Sequence, residues 1–214
     1  MNKWVVGLSA AVLLVTLLSC KALKRKVGMD TEQSGVTAGA PSAVSGSPGS
    51  TSASTPRDEW VLFSPGDGKF KVRMPQPPKL ERHNTQTQTG PVELSLFTST
   101  GSFGAAYQIG FSDFPEAQLE QRAPDQVLVG AQEGAVRNIE GRLLSERVLE
   151  VQGHSAREYS VQVLSQGMTL RYWGRIILVG ARLYQLQVIG LEGRMKDADR
   201  QRFFDSFELR EQQK

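Results

Sequence analysis

The sequence predicts an α+β domain in which an antiparallel β-sheet is covered by helices. Short segments with strand character recur from residue 60 to residue 189, and turn clusters rich in Gly and Pro separate them. Two segments have the spacing of amphipathic helices. The last two strands are apolar on both faces, so both faces of the sheet need a cover.

Eight strands are expected along the chain, and they combine β-branched and aromatic residues with alternation of apolar and polar positions. They are residues 60–63, 70–74, 92–97, 106–111, 147–151, 158–164, 170–179 and 182–189. Pro75, Pro77 and Pro78 end the second strand, because proline lacks the amide donor that a sheet requires. The polar segment 81–89 is expected to be a loop.

The sequence of the last hairpin predicts the register of its two strands. Gly180-Ala181 suits a two-residue turn, which pairs Val179 with Arg182. This register puts apolar residues on both faces. One face holds Trp173, Ile177, Tyr184, Leu186 and Val188, and the other holds Tyr172, Ile176, Leu178, Leu183 and Ile189.

The two helical segments are the available covers. Residues 125–138 place Leu128, Ala131, Ala135 and Ile139 on one face, and we expect Gly130 and Gly134 to allow close packing on the sheet. Residues 197–205 lead into three phenylalanines that we expect to dock into the core: Phe203, Phe204 and Phe207.

The first 57 residues differ in composition from the rest. Lys3 is followed by an apolar run of about fifteen residues, shorter than the roughly 20 that a spanning helix needs. The run closes on Leu17-Leu18-Ser19-Cys20, and Cys20 is the only cysteine. Residues 34–53 are almost entirely small or polar and cannot bury enough apolar surface to order themselves.

The Leu-Leu-Ser-Cys tetrapeptide resembles the lipobox of bacterial lipoproteins. The resemblance implies cleavage between Ser19 and Cys20, lipidation of Cys20, and a domain held in the cell envelope outside the cytoplasm. It divides the chain into a signal peptide (1–19), a lipidated cysteine with a basic cluster and a disordered Ser/Gly/Ala/Pro-rich linker (20–57), and one globular domain (58–214).

A basic cluster follows the cysteine and leaves an alternative open. Its members are Lys21, Lys24, Arg25 and Lys26. Basic residues after an apolar segment favour the cytoplasmic side, so an uncleaved N-terminal anchor with a cytoplasmic domain is the second interpretation. For a lipoprotein the same cluster would add attraction to an anionic membrane surface.

The domain itself resembles bacterial modules related to the PsbP extrinsic subunit of photosystem II. The matching pieces are Trp60, Phe63, Asp67-Gly68-Lys69-Phe70, Val72-Arg73-Met74-Pro75, Phe111-Ser112-Asp113-Phe114-Pro115, Ala156-Arg157-Glu158-Tyr159, Gly180-Ala181-Arg182-Leu183-Tyr184 and the segment 203–209. Ala156 departs from the usual glycine. The resemblance implies an α/β/α sandwich around an antiparallel sheet, and no photosystem role is carried over.

No pattern in the sequence assigns a catalytic residue, a metal ligand set or a cofactor. His83 and His154 belong to no ligand motif, and Arg157 replaces the second glycine that a nucleophile elbow would need after Ser155. The net charge of +3 comes largely from the basic cluster, so no nucleic-acid partner is expected.

Arg175 is the residue of the domain that most needs a partner. The predicted register places it on an apolar face with Trp173, and a buried guanidinium requires a carboxylate or an aromatic ring. We expect it to stack on Trp173 or to pair with an acid such as Glu158. An anion site at Arg175 and Glu158 is the functional alternative.

Three functions follow, in order of preference. The first is a non-catalytic lipoprotein, anchored to the membrane by lipid, whose domain binds or supports another envelope protein. The second is a carrier or sensor of a small or lipidic ligand held between sheet and helices. The third is an enzyme with an unrecognised site.

Overall fold

The computed structural model describes residues 60–87, 90–119 and 122–210. Within these ranges the chain forms ten strands, three α-helices and a 3₁₀ turn at Ser102–Gly104. In chain order the elements are β1 Val61–Phe63, β2 Phe70–Met74, β3 Lys79–Thr87, β4 Gly90–Thr100, β5 Ala106–Asp113, α1 Glu116–Leu119, α2 Pro124–Asn138, β6 Arg142–Val151, β7 His154–Ser165, β8 Met168–Val179, β9 Arg182–Leu191, α3 Asp197–Asp205 and β10 Glu208–Leu209.

Seven strands form one antiparallel sheet in the order β3-β4-β5-β9-β8-β7-β6. The predicted register of the last hairpin is confirmed, because Val179 lies opposite Arg182. The two predicted faces are also confirmed: one set of side chains belongs to one core and the other set to a second core across the sheet. The sheet is therefore buried on both sides.

Helix α2 covers one face of this sheet, which we call the helix face. It packs on β7 and β8, and the four residues predicted to face the sheet are 6% exposed or less. Gly134 is buried as well. The packing role expected for Gly130 is wrong, because a Cβ at that position would have no atom within 4 Å.

The other face, which we call the small-sheet face, has a mixed cover. A three-stranded sheet in the order β1-β2-β10 lies there together with α3. Phe203, Phe204 and Phe207 are buried in this core, as predicted. The simple sandwich with helices alone on both sides is corrected to a helix layer, a sheet layer, and a layer of one helix with a small sheet.

Both edge strands differ from the sequence prediction. Residues 81–87 were expected to be a loop and instead form most of β3, where His83 lies opposite Leu94. Strand β6 begins at Arg142, five residues before the predicted start. An edge strand has only one neighbour and carries polar residues on both faces, so its alternation is weak.

Candidate functional site

Arg175 and Glu158 form an ion pair on the small-sheet face. They lie opposite each other on β8 and β7, and the Nε and Nη2 atoms of Arg175 lie 2.9 and 2.7 Å from Oε2 of Glu158. Both side chains are about nine-tenths buried, at 10% and 12% exposure. The two residues singled out from the sequence are therefore brought together by the sheet register.

Arg175 also fixes the C-terminal end of α3. Its Nη1 atom donates to the backbone carbonyl of Phe204 at 2.9 Å, and Asp205 lies 3.4 Å from Nη2. The guanidinium lies 4.8 Å from the centroid of the Phe204 ring. The aromatic partner is thus Phe204 and not Trp173, so of the two expected alternatives the structure shows the pairing with Glu158. Arg200 of α3 lies 5.6 Å from the Trp173 ring.

A cleft of about 210 Å³ opens beside this pair, and we call it the Trp173 cleft. Its lining residues are Ser145, Glu146, Arg147, Glu158, Tyr159, Ser160, Trp173 and Arg200. Arg147 donates to Oε1 of Glu158 at 2.9 Å, while Oε2 is held by Arg175. The hydroxyls of Ser145 and Ser160 lie 2.7 Å apart. The cleft combines one indole ring with fixed hydrogen-bonding groups, a combination suited to binding a small polar molecule or a side chain of another protein.

A second buried arginine, Arg182, ties three distant segments together. Its Nε and Nη2 atoms lie 2.6 Å from the two carboxylate oxygens of Asp113, and Nη1 lies 2.5 Å from Asp67. The guanidinium also lies 4.2 Å from the centroid of Phe111. Burial alone would lower the pKa of Arg182, but the hydrogen bonds with both carboxylates raise it above its ordinary value. This side chain is permanently charged.

A third arginine, Arg157, performs the same task on the helix face. It contacts Asp125 at the start of α2, Gln132 in the middle of α2, and Glu146 on β6. A hydrogen bond from Gln132 and the charge of Arg157 lower the pKa of Glu146. The cluster fixes α2 across the edge of the sheet.

Sequence reasoning missed Arg157 and Arg182 as binding partners for the carboxylates. The available signal was an arginine inside an otherwise apolar strand, the same signal that drew attention to Arg175. For Arg182, the predicted pairing with Val179 already set its place in the sheet. The contact between Arg182 and Asp67 could not be predicted, because the two residues are 115 positions apart in sequence.

The motifs that carry the resemblance to PsbP meet at these arginines. Asp67, Asp113 and Arg182 come from three of them, and Glu158 and Asp205 from two others. These residues join strands, helix ends and turns to one another. The resemblance is therefore concentrated in residues that hold the fold together.

The lipidation and membrane residues of the sequence analysis lie outside the described residues. They are Ser19, Cys20, Lys21, Lys24, Arg25 and Lys26. Of the helices the structure describes, none has the length and apolar character needed to cross a bilayer. Within the same residues no group of three or more His, Asp or Glu side chains is arranged to hold a metal ion.

Comparison with solved structures supports the fold. The solution structure of cyanobacterial PsbP (CyanoP) from Synechocystis sp. PCC 6803 matches 77% of this chain and 98% of its own, with 10% identity and a TM-score of 0.50. A crystal structure from Bacteroides thetaiotaomicron VPI-5482 matches 70% of this chain and 48% of its own, with 10% identity and a TM-score of 0.46. The second similarity is too low to add to the argument.

The domain has a PsbP-like fold, as the sequence motifs implied. No protein-family model matches the chain, and no curated protein matches it either. At 10% identity the similarity to CyanoP shows the architecture alone.

Proposed function

We propose that this chain is an envelope lipoprotein, anchored through Cys20, whose PsbP-like domain is a non-catalytic module that binds or supports another envelope component. The N-terminal sequence supports the anchor. One observation carries the proposed role of the domain. At the Trp173 cleft, Glu158 is paired with both Arg175 and Arg147, so these charged side chains are fixed by ion pairs.

Glu158 illustrates the point. One carboxylate oxygen accepts from Arg175 and the other from Arg147. A carboxylate that accepts hydrogen bonds from two arginines is fixed in place, which suits a rigid binding surface. A fixed surface with an indole and an exposed arginine is typical of protein-binding sites.

A second function is favoured by the cleft itself. Its volume of about 210 Å³ lies below the roughly 300–1,000 Å³ of drug-sized ligand pockets. A ligand that fits must therefore be small and polar, and Trp173 would supply the apolar contact. This is the carrier or sensor alternative, and its candidate ligand space is the Trp173 cleft, which residues of β6, β7 and β8 and Arg200 of α3 line on the small-sheet face.

The anchor is tested by expressing the full chain and its Cys20→Ser variant in a bacterium. We expect the parent chain to fractionate with membranes and to carry diacylglyceryl mass on its N-terminal peptide, and the variant to lack that mass. Protease added to spheroplasts should digest the domain. A domain that stays protected while membranes remain intact would establish the uncleaved cytoplasmic alternative.

The binding surface is tested on the same chain by crosslinking in intact cells. Trp173→Ala combined with Arg147→Ala should remove a crosslinked species that the parent forms. The matched control is Val148→Ser on the helix face of β6, an exposed residue at 67% that does not line the cleft. A species that survives the double variant would exclude the cleft as the binding surface.

A further inference from the structure

Two of the exposed large apolar side chains of the described domain lie at or next to turns of the seven-stranded sheet: Phe103 in the 3₁₀ turn, and Leu164 as the last but one residue of β7. Phe103 is 64% exposed and Leu164 is 75% exposed. Phe103 also has a φ of +54°, a left-handed conformation that is rare for an aromatic residue. The chain therefore holds an aromatic ring in water on a backbone conformation that disfavours it, and both features need an explanation.

The two side chains lie at the same end of the sheet. Ala106 at the start of β5 is opposite Ile189 near the end of β9, and Leu191 of β9 is opposite Leu170 at the start of β8. The 3₁₀ turn at Ser102–Gly104 and the β7–β8 turn therefore lie at the same end of the strands. They are separated by three strand spacings, roughly 15 Å. We call this end of the sheet the Phe103 end.

The chain enters the domain at the same end. Trp60, the first residue that the structure describes, packs edge-on against Tyr107, with ring centroids 5.2 Å apart. It shares a small cleft with Gly101 and Ser102, which adjoin Phe103. The first residue of the described domain therefore lies near the 3₁₀ turn that carries Phe103.

Basic side chains accompany the apolar ones. Arg194 lies with its guanidinium 5.9 Å from the centroid of Phe103, and Lys196 follows it in the loop before α3. Both residues are exposed. Acidic side chains are present as well: Glu192 in the same loop pairs with Arg171, Asp197 pairs with Arg200, and Asp199 lines the cleft that holds Trp60. Phe and Leu side chains with basic residues beside them are typical of surfaces that lie at the boundary between water and lipid.

We propose that the Phe103 end rests on a lipid bilayer, with Phe103 and Leu164 inserted among the headgroups. This rests on the membrane anchor proposed above, because the anchor keeps the domain close to the surface. The contact orients the domain: the Trp173 cleft, on the small-sheet face, then lies at the side of the tethered module and is open to a partner.

The test places a polarity-sensitive fluorophore at single positions of the full chain. Phe103→Cys and Leu164→Cys report on the proposed contact, and Val148→Cys is the matched control because Val148 is equally exposed, at 67%, on the helix face of β6. The parent chain, with Cys20 as its only cysteine, gives the background. The probe is vesicles of phosphatidylethanolamine and phosphatidylglycerol.

We expect emission at positions 103 and 164 to move to shorter wavelength when vesicles are present, and emission at position 148 to stay unchanged. Equal emission at all three positions would overturn the proposal. Flotation with the vesicles and the N-terminal mass are measured on the same samples, so a failure of the anchor is distinguished from a failure of the contact. Emission spectra are recorded both for protein that floats with the vesicles and for protein that does not.

Discussion

Tyr159 lies directly opposite Gly174 on the helix face, and its ring occupies the space that a side chain on Gly174 would take. A Cβ on Gly174 would lie 2.5 Å from Cζ of Tyr159 and 2.7 Å from its hydroxyl oxygen. The ring is buried, with 2% exposure. Gly174→Ala should therefore lower the free energy of unfolding by about 1–3 kcal/mol, measured by urea denaturation. An unchanged midpoint would mean that the ring has room to move.

Gly130 provides the matched control for this substitution. A Cβ at Gly130 has open space, and the position lies inside α2, where glycine is less favourable than alanine. Gly130→Ala should raise the free energy of unfolding by up to about 1 kcal/mol. Opposite signs for two Gly→Ala changes in one domain would show that contact with Tyr159 causes the loss at Gly174.

Tyr159 should also make the free energy of unfolding decrease as the pH rises above 10. Burial raises its pKa to about 12, although its hydroxyl lies 3.3 Å from that of Tyr172. In the unfolded chain the phenol ionises near pH 10, while the folded chain keeps its proton. Stability is therefore complete below pH 10 and falls by about 1.4 kcal/mol for each pH unit up to pH 12.

Urea denaturation between pH 9 and pH 12 measures this slope. Tyr159→Phe should make it shallower by about 1.4 kcal/mol per pH unit. Part of the slope should remain in the variant, because burial also raises the pKa of Tyr184. Equal slopes in the parent and the variant would contradict a protonated, buried Tyr159.

Removing the carboxylate partners of Arg182 should lower the free energy of unfolding more than removing Arg182 itself. The arginine side chain is 9% exposed, whereas those of Asp113 and Asp67 are 58% and 29% exposed. The double variant Asp67→Asn with Asp113→Asn leaves the buried charge without a counter-ion and should cost about 3–5 kcal/mol. Arg182→Met leaves carboxylates that water can reach and should cost less. The reverse order would show that the carboxylates are the dependent partners.

The pair formed by Glu158 and Arg175 can be measured by a double-mutant cycle. Glu158→Gln and Arg175→Met should be coupled by about 1.5–3 kcal/mol, because both groups are almost fully buried. Arg147 gives an internal control, since it contacts the same carboxylate but is 63% exposed. Its coupling to Glu158 should stay below about 1 kcal/mol. An Arg175→Met variant with an unchanged melting temperature would argue against a structural role for the pair.

The central strands and both main helices could be predicted because burial imposes a regular pattern on them. The hairpin from β8 to β9 is the clearest case, where two apolar faces and a short turn determine the register. The edge strands β3 and β6 were missed or shortened because water on one side removes that pattern. The small sheet was missed because β10 has only two residues and pairs with a strand more than 130 residues away.

The candidate site could be predicted only where partners lie on adjacent strands. Arg175 with Glu158 follows from strand pairing, because each sits in a segment with a strong pattern. Phe204 and Asp205 come from α3, and their approach to Arg175 depends on how that helix docks. The Trp173 cleft likewise needs Arg200 from α3. Tertiary docking of this kind is not encoded in local spacing.

The pairing of β10 with β2 has a consequence for biogenesis. Of the elements that the structure describes, the strand that closes the small sheet is synthesised last, and the phenylalanines that complete its core precede it by a few residues. A nascent chain that still lacks residues 203–209 cannot seal the small-sheet face, so its central strands stay without their cover. For the export proposed above, this order would keep the domain from completing its fold before residues 203–209 have been synthesised.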